Sequence, residues 1–136
     1  MARVLAEDGV VEFWDAVVVA GRLSTAELLT AAQAEVNKSG ADAPAPHLVA
    51  LQNRPTQEVF DAAVRRLTND DSWTRELGTL ILRELGPQDE AGPRPFSSEA
   101  APLLTGRLSE EHDPRVLGWL ISALGYNAAR SRWTRS

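Results

Sequence analysis

The chain has 136 residues, 43% apolar and 24% charged, with 19 acids against 14 bases for a formal charge of −5, and no cysteine. Those proportions belong to an ordinary globular chain and exclude wholesale disorder, a disulfide-stapled miniprotein and a collagen-like repeat. Disulfides, Fe–S clusters, thiolate zinc sites and cysteine nucleophiles are excluded with the cysteine.

Taken in chain order, the first dense apolar stretch is Glu12 to Ala20, with Phe13, Trp14, Ala16, Val17, Val18 and Val19. Its period fits a short helix or a strand equally well. Glu7, Asp8, Glu12 and Asp15 precede its most apolar part, Val17 to Ala20, so neither a basic-headed secretory leader nor a membrane span of about 20 apolar residues is predicted. The expectation is a cytoplasmic protein with no membrane contact. Ser24-Thr25-Ala26-Glu27 has the spacing of a capping box, in which each end side chain satisfies an orphan N–H of the other. Leu28, Leu29, Ala32 and Val36 then share a helix face up to Gly40. A proline-bearing linker, residues 41–46, leads to a short apolar helix at His47 to Gln52.

Pro55 is predicted to open a helix in which Phe60, Ala63, Val64 and Leu67 fall at i, i+3, i+4 and i+7. After the polar break Asn69-Asp70-Asp71-Ser72, a second helix carries Leu77, Ile81, Leu82 and Leu85. Gly86-Pro87 ends it, because glycine accepts left-handed geometry and proline cannot continue the ladder. A loop from Pro87 to Phe96 follows, then a helix over Ala100 to Leu108 with Pro102 in its first turn. Ser97-Ser98-Glu99 before it suggests capping. The last helix starts at Asp113-Pro114, an N-cap followed by a proline whose missing N–H is not needed there. No strand pair is predicted, and the class is all-α.

The two later helix pairs resemble each other. Leu67 matches Leu108 at an offset of 108 − 67 = 41, while Thr74 matches Val116 and Leu82 matches Leu124 at an offset of 42. Each second helix follows an acidic turn. Asp113-Pro114-Arg115-Val116 and Ala123-Leu124-Gly125, with Thr74-Arg75, Gly78, Leu82 and Leu85-Gly86 in the earlier unit, resemble the HEAT-repeat family, whose period of roughly 40–47 residues is met here. Leu117 stands where the family's arginine would be, and Gly78 and Leu120 replace its small alanine. The resemblance implies a single α-α superhelix over 1–136 of about three helical hairpins. Residues 1–23 would be an N-terminal cap, 24–53 a degenerate repeat, 55–86 and 97–128 repeats, and 129–136 a basic tail. No polar cap helix follows Tyr126, so the expectation is either a naturally short array or a last face covered by a partner or by a second copy, the latter a homodimer through the C-terminal repeat.

Chemistry is sparse. His47 and His112 lie far apart, and no phosphate-loop, dinucleotide, zinc-protease or nucleophile-elbow motif occurs. Glu110-Glu111-His112-Asp113 contains ligand-type residues, but capping and turn formation account for it better than a metal. No catalytic residue, metal or cofactor is predicted. The resemblance places the second helices on a concave face, where tryptophan, tyrosine and arginine commonly anchor binding. Arg75, Thr79, Arg83, Arg115, Trp119 and Tyr126 are the expected partner-binding residues of a non-enzymatic protein-interaction scaffold or adaptor, with Trp14 in the core or cap. The alternatives carried by the family are a nucleic-acid-binding or DNA-repair module, which the charge of −5 disfavours, and a chromophore lyase or chaperone.

Overall fold

Seven helices account for all the regular structure in the described residues of the computed structural model, which are 2–39, 44–87 and 94–134. They are α1 (Ala2–Ala20), α2 (Thr25–Ser39), α3 (Pro46–Gln52), α4 (Gln57–Arg66), α5 (Ser72–Arg83), α6 (Ser97–Leu108) and α7 (Pro114–Thr134). Side chains are described for 9–38, 44–87 and 94–127. The expected stop at Gly40, residues 41–43 of the linker after it, and residues 88–93 of the loop after Pro87 lie outside the described residues. By its contacts the chain divides into two compact units, Met1–Leu51 and Gln52–Ser136.

In the first unit the apolar run at Glu12 resolves as helix, about the second half of a 19-residue α1. Its ambiguity had a physical source: apolar residues stand on more than one side of it. The capping box forms reciprocally. The Glu27 N–H donates to Ser24 Oγ at 3.1 Å, and the Ser24 N–H donates to Glu27 Oε1 at 3.0 Å. The Ser24 N–H, and after it the Ser24 hydroxyl, hold the Glu27 carboxyl below its ordinary range. Leu28, Ala32 and Val36 are buried as their spacing requires. Glu35 of α2 then accepts from the N–H groups of His47 and Leu48, each at 3.0 Å, and contacts His47 Nδ1 at 2.7 Å. Those two N–H groups are orphan donors of α3's first turn.

The second unit is two helix pairs side by side: α4 packs on α5, α6 on α7, and α5 on α7. Helix α4 begins two residues after Pro55. Thr56 is its cap, accepting from the Val59 N–H at 3.2 Å. Asp71 caps α5 in the same way through the Thr74 N–H at 2.9 Å. At the α4–α5 contact a Cβ on Gly78 would stand 2.7 Å from the Ala63 carbonyl oxygen and 2.9 Å from Arg66 Cβ. The missing side chain is what lets the two backbones meet.

Helix α5 ends before Gly86, whose φ of +87° is the left-handed geometry expected there. Its N–H donates not into its own helix but to the Gln52 carbonyl at 2.7 Å, while the Gln52 side chain donates to Leu80 O at 2.8 Å. Phe60 and Phe96 stack at 4.6 Å, bringing the start of α6 against α4.

Helix α6 departs from expectation in two ways. It starts at Ser97, which puts Pro102 beyond the first turn, at an exposed position. The serines there do not cap. Phe96 is the N-cap residue and makes no side-chain bond, while Ser97 is buried and its hydroxyl donates to Asn127 Oδ1 at 3.0 Å. Among the described residues no helix is long and apolar enough to cross a membrane.

Candidate functional site

The residues expected to bind a partner lie on α5 and α7, and the structure brings them to the seam between those helices. Arg75 stands one turn into α5. Its guanidinium donates to both oxygens of Glu111, at 2.8 and 2.9 Å, and to the carbonyls of Asn69 and Asp70 at 2.8 and 3.0 Å. One arginine thus joins the acidic turn of the first pair to that of the second. The Glu111 side chain is 1% exposed. Burial opposes its ionisation, but the Arg75 pair, the Asp113 N–H and the charge of Arg107 outweigh burial and hold its carboxyl below the ordinary range. The Glu111 pair raises the Arg75 guanidinium against its own desolvation. The neighbouring Asp113 caps α7, accepting from the N–H groups of Arg115 and Val116 at 2.8 and 3.3 Å. Burial opposes its charge, yet those bonds and Arg115 keep its carboxyl low.

Arg115 reaches the other way, from α7 to α5. Its Nε donates to Glu76, a fully buried carboxylate, and a second nitrogen lies 3.3 Å from Ser72 Oγ. Its guanidinium carbon is 3.8 Å from the centre of the Trp73 ring. Arg83, two turns beyond Arg75, donates to Ser122 Oγ at 2.8 Å and to the Tyr126 hydroxyl at 2.9 Å, and pairs with Glu84 at 2.6 Å. It lies 4.0 Å from the Tyr126 ring centre and 5.4 Å from that of Trp119. Arg94 adds a second cation 5.8 Å from Tyr126. The seam therefore shows two arginine–aromatic groups, Trp73 with Arg115 and Trp119 with Arg83 and Tyr126, all half-buried.

Five of the six expected positions are thus gathered in one place. Thr79 is the correction: it is wholly buried, its hydroxyl turned back to the Arg75 carbonyl at 2.9 Å, so it offers nothing to a partner. Its spacing between Arg75 and Arg83 put it on the right side of α5 but at the depth where α5 meets its neighbours. Trp14, expected in the core or the N-terminal cap, is 53% exposed and so does not belong to the core. The buried face of α7 is formed by Val116, Leu120, Ala123 and Asn127, leaving Leu124 half-exposed. The basic residues Arg130, Arg132 and Arg135 and the nearby Trp133 lie outside the described side chains.

Three partners at this seam were not singled out from sequence as ties: Glu76, Glu111 and Asn127. Asn127 is 3% exposed and donates to the carbonyls of Leu82 and Ala123 at 3.1 and 2.8 Å. The recurring acidic turn was the one available signal for Glu111. A polar residue at i+4 from Ala123, on an otherwise apolar stripe, was the signal for Asn127. Among the described residues no cluster of three or more histidines and carboxylates could hold a metal ion. Comparison of the chain with protein-family models, curated proteins and solved structures finds no match in any of the three.

Proposed function

We propose that this chain is a short HEAT-like α-solenoid acting as a non-enzymatic adaptor, which binds an extended or helical segment of a partner protein along the α5–α7 seam. The observation that carries this reading is the pair of arginine–aromatic groups. Trp73, Trp119 and Tyr126 are each half-buried, with an arginine guanidinium 3.8, 5.4 and 4.0 Å from the respective ring centre. Rigid aromatic anchors bind at low entropic cost, and tryptophan, tyrosine and arginine dominate interface energetics. The 41–42-residue offset and the side-by-side packing of α5 and α7 support the solenoid.

The arginines' own carboxylate partners shape the specificity. Arg75 is already neutralised by Glu111 and Arg115 by Glu76, so the seam recognises aromatic and apolar side chains with hydrogen-bonding edges more than phosphates or acidic runs. The test is affinity capture with cross-linking from native lysate, repeated with Trp119→Ala and Arg115→Ala. Loss of the captured protein in both, with helicity unchanged by circular dichroism, supports the seam. Capture that survives both substitutions overturns it.

A further inference from the structure

Hydrogen-bond donors and acceptors along the α5–α7 seam do not balance. Ser72, Glu76, Glu84, Ser122 and Tyr126 each already accept a bond from Arg83 or Arg115. A guanidinium carries five N–H groups. Among the described residues Arg83 uses three of them and Arg115 two, and the rest stay unspent on side chains 20% and 36% exposed. The Tyr126 oxygen accepts from Arg83, but its hydrogen and the Trp119 indole N–H have no acceptor among the described residues. The seam is therefore a row of donors set between aromatic rings.

A segment complementary to that surface supplies carbonyl oxygens, few N–H groups and flat apolar side chains. A helical segment lacks the first, because its carbonyls are spent on its own ladder. An anionic segment has acceptors, but Glu76, Glu84 and Glu111 already neutralise Arg115, Arg83 and Arg75. Polyproline II meets every demand: its carbonyls make no internal bonds, and proline has no N–H to leave unpaired. The spacing agrees. Trp119 and Tyr126 lie against one guanidinium carbon, at 5.4 and 4.0 Å. Their ring centres are therefore at most about 9 Å apart, the length of one three-residue turn of polyproline II at ~3.1 Å per residue. Tyr126 follows Arg115, the partner of the Trp73 ring, by 126 − 115 = 11 positions of α7. That is about 16 Å of helix, or about five residues of polyproline II.

We infer that the partner segment is a proline-rich stretch in the polyproline II conformation, with prolines at i and i+3 on the Trp119 and Tyr126 rings. Its carbonyls accept from the unspent arginine, indole and phenol donors. The inference rests on the adaptor reading of the seam and narrows it to one backbone conformation. Recognition of this kind sets aromatic rings against a ligand that is already ordered before it binds.

The test is an NMR titration of the full nitrogen-15-labelled chain with an acetylated, amidated decaproline peptide, followed at the tryptophan indole N–H resonances. Trp119→Phe and Trp14→Phe assign the two resonances needed. A saturable shift of the Trp119 resonance is expected, with that of Trp14, on α1, unmoved. Read from the Tyr126 amide, Trp119→Ala should weaken binding about tenfold or more. Trp119→Phe, which keeps a ring and removes the donor, should weaken it by a smaller factor. A leucine–lysine amphipathic helical peptide and a phosphoserine peptide of equal length are titrated alongside. No shift with decaproline at millimolar concentration, tighter binding of either comparison peptide at Trp119, or full affinity in Trp119→Ala would each overturn the inference. The adaptor reading stands or falls separately. Lysate capture that still depends on Trp119 and Arg115 upholds it when decaproline fails, and capture indifferent to both removes it.

Discussion

Two single residues carry consequences out of proportion to their size. Gly78 occupies the point where α4 and α5 come closest, with backbone on one side and the Arg66 stem on the other. Alanine there gains about 1 kcal/mol of helix propensity. It must also push the Ala63 carbonyl away, and overpacking of this kind costs about 1–3 kcal/mol. Thermal melting should show Gly78→Ala to be destabilised despite the better helix former. Glu111 is the second. Its carboxyl is depressed in the folded chain, so the stability it contributes is complete above the ordinary carboxyl range and is lost as pH falls through the depressed value. Glu111→Gln leaves the Arg75 guanidinium without its charge partner. It should lower stability at neutral pH by about 1–3 kcal/mol, less than a fully buried pair because Arg75 is partly exposed. Its denaturation midpoint, followed against pH, should also decline less steeply on the acid side than that of the natural chain.

Local rules explain the elements where partners are near in sequence. Thr56 and Asp71 each accept from an N–H three residues on, and Ser24 and Glu27 complete a reciprocal box. Removing the α4 cap with Thr56→Ala should cost about 1 kcal/mol, measurable by urea denaturation with an unchanged slope. The capping box at Ser24, the apolar stripes of α2 and α4 and the left-handed glycine after α5 were legible because four to seven consecutive residues contain the whole cause, whereas the cap of α4 is Thr56 and not Pro55, the residue expected to open it. The contacts across the seam were not. Arg75 and Glu111 are 36 positions apart, Arg115 and Glu76 39, and Asn127 and Leu82 45. Which side chains meet over such distances depends on the rotation of one helix against another, and a stripe of period 3.6 fixes that only to within a neighbouring position. Thr79 shows the size of the error: correct helix, correct side, but buried. At Ser97 the local signal itself misled, because a serine at a helix entrance serves equally as a cap or as a donor to a distant asparagine.

At the scale of the molecule, charge separates the remaining readings. The chain has a net charge of −5, and the arginines Arg75, Arg83 and Arg115 are each paired with a carboxylate. Nucleic-acid binding depends on cations free to neutralise phosphates. The full chain should therefore pass through heparin at low salt, and retention that falls steeply with added salt would favour the nucleic-acid alternative over the adaptor. In the proposed repeat, Leu117 falls opposite Arg75, since 117 − 75 = 42.

The seam between α5 and α7 is pinned near both ends. Arg75 with Glu111 holds the start of α5, and Arg83 and Asn127 hold it two turns on, about 12 Å along the axis. Two fastenings at that separation resist what one would allow, namely a change in the crossing angle of the helices. Under a pulling force the pair should therefore behave as a single mechanical element, sliding only when both fastenings break together. Severing a whole fastening, with Glu111→Gln and Arg115→Ala together at the first or Arg83→Ala and Asn127→Leu together at the second, should convert one rupture event into an earlier, softer extension.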